Sequence, residues 1–396
     1  MRIALITDGM SPYAMGGMQR HSRMLAEHLV GVGAEVTLFH TTFDPGRARA
    51  ASSLEGCPEA LRCRIVPEFV PYPRVRRFPG HYLAEEWRYS AACLRRYLDH
   101  AVSADFIYAQ GLTGWAFLRL SQRHDRLPPI GVNTHGYEMF QRAASLRGSL
   151  QYALLRPAFR DVNRRADVVF SFSGKIRRLV EDSVGVPAAR IVEMPNGVEE
   201  SWIVSSPPPC RAGARRFIFV GRHDRRKGLP ELLAAVSGLP RSGWTLDVVG
   251  PVPPQSQLFH PCIRFVGPVS DIKELQALFD GADCLLCPSH AEGMPTVILE
   301  AMARGLAIVA TDVGATAELV DATNGLLLSG PRTGEIAGAM RRTISMGDPE
   351  IMALKRGSLA RVHAYSWTRV AAQVVDAARD AAMRLSARSG RASSLA

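Results

Sequence analysis

The chain has 396 residues, 47% of them hydrophobic and 21% charged, with a formal net charge of +11. That length exceeds what one hydrophobic core usually serves, so two domains are expected, and the composition excludes a disordered or fibrous chain. No apolar run approaches the roughly 18–20 residues of a membrane helix, and the seven scattered cysteines argue against a disulfide framework. The N-terminus enters an apolar strand pattern with no basic leader before it, so the expected compartment is the cytosol.

In chain order, β-branched apolar runs at residues 3–7, 35–39, 64–67, 106–109, 130–134, 168–171 and 191–194 read as strands. Helical periodicity falls between them, most clearly at 18–30, 82–101 and 150–166. The run Ser205-Ser206-Pro207-Pro208-Pro209 cannot join a ladder and reads as a linker. A second series follows, with strands at 217–220, 245–249, 263–266, 284–287 and 307–310 and helices near 230–236, 272–279 and 296–303. The alanine-rich tail 367–385 is helical. Strands alternating with helices predict an α/β fold of two doubly wound Rossmann-like units facing each other across a cleft. The expected domains are 1–204, a linker 205–214, 215–365, and a C-terminal helix with a flexible tail, 366–396, crossing back to the first domain.

Positive charge concentrates in the first half. Nine Arg or Lys between Arg142 and Arg178 face only Asp161 and Asp167, and a second group holds Arg74, Arg76, Arg77, Arg88, Arg95 and Arg96. Such clusters are either solvated helix surface or a face that docks on anionic phospholipid. Nucleic acid is not an expected partner, because basic strands interleaved with aromatics and zinc-finger spacings are both missing.

Four motifs carry chemistry. In Glu292-Gly293-Met294-Pro295-Thr296-Val297-Ile298-Leu299-Glu300, a strand runs through a turn into a helix whose first residue is expected to be Pro295. The amides around Thr296 offer a phosphate site, and Glu292 and Glu300 offer acceptors for sugar hydroxyls. Gly221-Arg222-His223-Asp224-Arg225-Arg226-Lys227-Gly228 follows a strand and sets Arg222 and Lys227 at its carboxyl end, where two cations suit a departing diphosphate. Gly16-Gly17 precedes a helix and permits close approach of a phosphate or sugar. His135-Gly136 follows the strand at 130–134 and reads either as a site residue or as a structural histidine.

These motifs, with Pro195-Asn196-Gly197-Val198, Thr311-Asp312-Val313-Gly314, Glu318 and Asn324-Gly325-Leu326-Leu327, resemble the family-4 retaining glycosyltransferases of GT-B fold. The resemblance spans nearly the whole chain and is loosest between residues 40 and 130. It implies a nucleotide diphosphate sugar donor, UDP- or GDP-linked, and a saccharide or lipid-linked acceptor of bacterial surface polysaccharide or glycolipid synthesis. By the same resemblance, Arg222 and Lys227 hold the diphosphate, with Gly16 or Gly17 approaching from the opposite domain. Glu292 contacts the donor sugar, Glu300 the ribose, and Val269 marks where the base meets main chain. His135 lies beside the sugar and the attacking hydroxyl. Retention of configuration is implied, by a front-face path in which the leaving phosphate helps deprotonate the acceptor. Gly293-Met294-Pro295 departs from the common Gly-Phe-Gly of relatives, which bears on the choice of donor.

No Asp-x-Asp triplet occurs, so metal independence is expected, with the two cations and a helix N-terminus supplying the charge; no cofactor is expected. Cys284-Leu285-Leu286-Cys287 sits in an apolar strand without a second pair at zinc spacing and reads as core. The rival readings are a GT-B epimerase or phosphorylase, an NAD-dependent oxidoreductase and a degenerate binding or scaffold subunit. A phosphorylase would need a pyridoxal lysine motif, and an oxidoreductase a Gly-x-Gly-x-x-Gly in place, neither of which appears. Joint retention of His135, Arg222, Lys227, Glu292 and Glu300 speaks against decay to a scaffold.

Overall fold

The computed structural model describes residues 1–14, 17–76, 78, 80–121, 127–141, 146–211 and 213–393. Gly16, Arg77 and Arg142, singled out above, lie outside the described residues, as does the end of the tail. The chain forms two compact units, Met1–Asn196 with Trp367–Ala396, and Gly197–Ser366.

The first unit holds seven strands, β1 (Arg2–Ile6), β2 (Glu35–His40), β3 (Ile65–Phe69), β4 (Phe106–Gln110), β5 (Ile130–Asn133), β6 (Val168–Ser171) and β7 (Ile191–Glu193). Its helices are α1 (Gly17–Gly31), α2 (Ala48–Ser52), α3 (Glu59–Arg62), α4 (His81–Asp99), α5 (Trp115–Ser121), α6 (Leu146–Arg165) and α7 (Gly174–Leu179). The strands pair in parallel in the order β3-β2-β1-β4-β5-β6-β7. Pro67, which lacks a ladder donor, is accommodated because β3 is an edge strand. In such a sheet the strand order reverses between β1 and β4, and the loops at their carboxyl ends diverge to leave a crevice there.

The second unit holds β8 (Arg215–Val220), β9 (Trp244–Val249), β10 (Ile263–Gly267), β11 (Cys284–Cys287), β12 (Ala307–Thr311) and β13 (Gly325–Leu328). Its helices are α8 (Leu229–Val236), α9 (Ile272–Asp280), α10 (Thr296–Ala303), α11 (Thr316–Leu319), α12 (Thr333–Ser345) and α13 (Asp348–Val362). The order is β10-β9-β8-β11-β12-β13, again parallel, with the reversal between β8 and β11. β13 and the two long helices after it escape the periodicity reading. β13 is an edge strand in which only Gly325 is fully buried, and it packs so closely on β12 that a Cβ on Gly325 would lie 2.0 Å from the Ile308 carbonyl oxygen.

The last helix, α14 (Trp367–Ser393), belongs to the first unit and packs on α1. Its buried positions Val370, Ala371, Val374, Val375, Ala378 and Ala381 repeat at helical spacing and join Leu25 and Leu29 of α1 in one core. The small alanines let two helix backbones approach closely. The division between the units falls after Asn196, earlier than the proline run suggested. The reason is burial: Trp202 is fully enclosed beside Phe279, and the Val204 amide donates to the Ala303 carbonyl at 3.0 Å. Residues 197–204 therefore belong to the second unit.

Candidate active site

In the second unit, the loops after β8 and β11 flank the strand-order reversal, and they are laced together. The Asp224 carboxylate accepts the Arg226 amide at 2.9 Å and the Asp224 carbonyl accepts the Lys227 amide at 2.9 Å, closing a turn. Gly228 ends that turn at φ +70°, where a Cβ would lie 1.9 Å from the Pro288 carbonyl oxygen. Only glycine tolerates both the conformation and the approach. Across this junction the His290 amide donates to the Arg226 carbonyl at 2.7 Å, and the His290 ring lies 2.9 Å from Glu231.

The lacing brings together two residues expected to act on the donor. The Lys227 ammonium donates to Glu292 Oε1 at 2.6 Å, and the Ser289 hydroxyl donates to the same oxygen at 2.7 Å. Glu292 is 5% exposed and Ser289 1%, so the carboxylate is held in a fixed direction. Behind it, the Ala315 amide donates to the Gly293 carbonyl at 2.8 Å. Gly314 lies at φ +57°, and a Cβ there would come within 2.2 Å of the Glu292 carbonyl oxygen and 2.4 Å of that of Gly293. The loop after β12 thus seats the loop after β11.

The remaining expected residues of this unit spread around that pair. Arg222 is exposed at the start of the Lys227 loop. Met294 and Pro295 are buried, Thr296 is exposed at the first position of α10, and Glu300 is half-buried one turn further in. Pro295 is not the first helical residue, as expected, but the N-cap: its ψ of 113° is extended, and no side chain caps the helix there. Val269 is half-buried two residues past β10, two strand spacings from β8, or about 10 Å across the sheet. Cys284 and Cys287 are buried free thiols within β11, and burial pushes the Cys287 thiol up to about 12.

In the first unit, Gly17 opens α1, and His135 lies just past β5 at φ +64°, uncommon for a residue with a Cβ. The Asn133 side-chain oxygen accepts the His135 amide at 2.9 Å, and Asn133 in turn donates to the Tyr108 hydroxyl at 2.8 Å. Buried Asn163 bonds both Thr134 and the Tyr137 hydroxyl, pinning the loop on either side of His135. Burial holds the His135 imidazole down to about 4, so it is neutral at physiological pH. Its Nε2 is enclosed and has no hydrogen-bond partner.

Sequence reasoning missed several neighbours of these residues. Ser289 had a signal, as a polar residue two positions past an apolar strand. His21 of α1 lies with its ring centroid 4.4 Å from that of His135, a pairing that only the fold reveals. Asp8, after β1, and Glu86, on α4, are forced toward their neutral forms chiefly by burial, to about 6 and about 8, and the Asp8 charge adds to the effect on Glu86. Many arginines of the basic first half are tied to structure. Arg156, Arg160 and Arg164 each donate to a backbone carbonyl, while Arg119 and Arg165 share Asp161. The exposed surface of α6 is instead apolar at Leu146, Leu150 and Leu154, which are 91, 67 and 44% exposed. No helix among the described residues is long and apolar enough to cross a membrane.

Two family models match the chain, one described as Glycosyltransferase Family 4 over residues 15–202 and one as Glycosyl transferases group 1 over residues 214–346. The chain is 26% identical over 393 residues to a glycogen synthase of Mycobacterium tuberculosis, covering 94% of this chain and 92% of that protein. It is also 26% identical over 399 residues to a phosphatidyl-myo-inositol mannosyltransferase of Mycolicibacterium smegmatis, covering 95% and 92%. Among solved structures, sucrose-phosphate synthase from Thermosynechococcus elongatus superposes with a TM-score of 0.76 at 21% identity, covering 96% of this chain and 98% of that one. Two parallel Rossmann-like sheets with these matches define a glycosyltransferase of GT-B fold. The chain belongs to the family-4 glycosyltransferases, as its motifs implied.

Proposed function

We propose that this protein is a retaining, metal-independent hexosyltransferase that takes a sugar from UDP or GDP and delivers it to a saccharide or lipid-linked acceptor. The observation that carries the reading is the Lys227–Glu292 pair at the strand-order reversal of the second unit. A nucleotide diphosphate brings two phosphates to such a crevice, and an ammonium has three N–H groups, so Lys227 serves a phosphoryl oxygen as well as Glu292. With Arg222 it offsets charge that builds on the leaving diphosphate, the task a divalent ion performs elsewhere. Glu292, oriented by Lys227 and Ser289, accepts from donor-sugar hydroxyls. Amides at the start of α10 face the phosphates, and Glu300 takes the ribose, with the base toward Val269. The resemblance of the motifs assigns Gly16 and Gly17 to the diphosphate, and His135, which is neutral, to the sugar and the attacking hydroxyl. The acceptor oxygen forms its bond to the anomeric carbon on the face from which the diphosphate leaves, and its proton passes to the departing phosphate.

The relatives' names, glycogen synthase and phosphatidyl-myo-inositol mannosyltransferase, support an acceptor that is a saccharide or is lipid-linked, in surface polysaccharide or glycolipid synthesis. The exposed leucines of α6 support a peripheral place on an anionic membrane. The deciding experiment incubates the protein with a panel of UDP- and GDP-sugars plus EDTA. Turnover of one donor, with the anomeric configuration kept in the product, is expected. Turnover that EDTA stops, or an inverted product, overturns the reading.

A further inference from the structure

His21 occupies a position that packing alone does not explain. It sits one helical turn into α1, 5% exposed, between the ring of His135 at 4.4 Å and 78° and the ring of Trp367 at 4.8 Å and 73°. A phenylalanine would fill that space. Instead a polar chain leads to its ring: the Gln110 amide nitrogen lies 3.3 Å from His21 Nδ1, the Gln110 oxygen accepts the Ser22 hydroxyl at 2.8 Å, and Ser22 meets the Thr7 hydroxyl at 2.7 Å. All four side chains are buried and stand where β1 and β4 part at the crevice of the first sheet. With the Gln110 oxygen engaged by Ser22, its N–H donates to Nδ1 of His21, which puts the imidazole proton on Nε2. That Nε2 has no partner, and neither does Nε2 of His135 beside it. Two adjacent buried imidazoles with unsatisfied nitrogens are costly, and such groups persist in folded proteins chiefly where a site uses them. The positive φ of His135 on the same loop is a second strained feature at the same place.

We infer that His21 is a positioning residue for His135: the Thr7–Ser22–Gln110 chain sets its tautomer and anchors its ring at Nδ1, and the ring so anchored fixes the direction in which His135 presents Nε2. This deepens the proposed function and rests on the reading of His135 as a residue of the transfer site. A mere filler would be replaced by Phe without consequence. His21→Phe keeps an aromatic ring in the space and loses the nitrogen that Gln110 reaches, so the ring is no longer anchored.

The test has two arms. In the first, imidazole 15N–1H spectra of the intact protein at neutral pH read tautomers without any substrate. His21 is expected as the Nε2–H form, mixed in Gln110→Leu, and the His135 ring signals are expected to move in His21→Phe. In the second, turnover of the UDP- or GDP-sugar that the wild type accepts is compared across variants of similar melting temperature. His21→Phe is expected to lower kcat about tenfold, or about 1.4 kcal/mol, with donor KM unchanged. Unmoved His135 signals, or a His21→Phe enzyme with wild-type kcat, overturns the inference and leaves the transferase reading intact. A fully active His135→Ala enzyme overturns the role of His135 and this inference with it. If the wild type turns over no donor, the functional reading falls and the spectra decide the placement of His21 alone.

Discussion

Lys227 and Glu292 stand 65 positions apart in the chain and meet at 2.6 Å. Parallel pairing brings them together: β8 and β11 are neighbours in the sheet although β9, β10 and two helices intervene in sequence. The loops that follow both strands emerge side by side at their carboxyl ends, and Gly228 lets them close to contact. A cation expected on a diphosphate and a carboxylate expected on a sugar are thereby one unit before any ligand arrives.

Replacing Lys227 by Ala removes one of the groups orienting Glu292 and, on the proposed function, the charge that offsets the leaving diphosphate. Transfer is expected to fall about a hundredfold, equivalent to ~3 kcal/mol of transition-state stabilisation. Glu292→Ala is expected to abolish most transfer. Circular dichroism should show both variants folded, and single-turnover rates with the accepted donor check the effect; near-normal rates would remove the residue from the site.

Gly314→Ala tests the seating of that loop from behind. The added methyl meets the carbonyl oxygens of Glu292 and Gly293 at a φ that side chains rarely adopt. Strain of about 1–3 kcal/mol is expected from the backbone conformation alone, before the clash. The melting temperature should drop, and the stabilisation that UDP or GDP confers in a thermal-shift assay should shrink with it.

Glu86 gives a stability prediction of definite sign. Its carboxyl is raised from 4.5 to about 8 in the fold, chiefly by burial, with the Asp8 charge adding to it, and it accepts the Tyr72 hydroxyl at 2.9 Å. Between those values the folded chain keeps a proton that the unfolded chain has lost. The stability associated with that proton is complete below the unfolded value and is lost as pH rises through the folded one. Glu86→Gln keeps the acceptor and removes the titration. Its melting temperature relative to wild type should therefore climb as pH goes from about 5 to about 9. A difference that stays flat across that range would show Glu86 to be ionised in the fold.

For the membrane reading, Leu146→Ser, Leu150→Ser and Leu154→Ser combined are expected to weaken co-sedimentation with phosphatidylglycerol vesicles about tenfold or more, since each leucine contributes on the order of 1 kcal/mol when partly buried in lipid. Turnover of a soluble donor should be unaffected. Equal sedimentation of variant and wild type would leave α6 without a lipid role.

Much of this architecture is legible in the residues alone. Apolar runs bounded by Gly, Pro and Asp mark twelve of the thirteen strands, because a parallel strand buried on both faces writes its burial directly into sequence. Arg222, Lys227 and Glu292 are visible for a similar local reason, as polar residues in the loops that follow such runs, and Glu300 as a lone carboxylate within an apolar helical stretch. The division at Asn196 was not legible, since Trp202 reads as the end of the first domain until Phe279 is seen beside it.

By itself, then, the sequence determined what depends on neighbours along the chain: strand and helix identity, the glycines that permit tight turns, and the residue types that wait at strand ends. Tertiary structure alone decided the pairings across the sheet. Lys227 on Glu292, His21 on His135 and Asp8 near Glu86 all join residues from loops or helices far apart in the chain. Strand order and burial set those meetings, and both are properties of the closed core, with no trace in local periodicity.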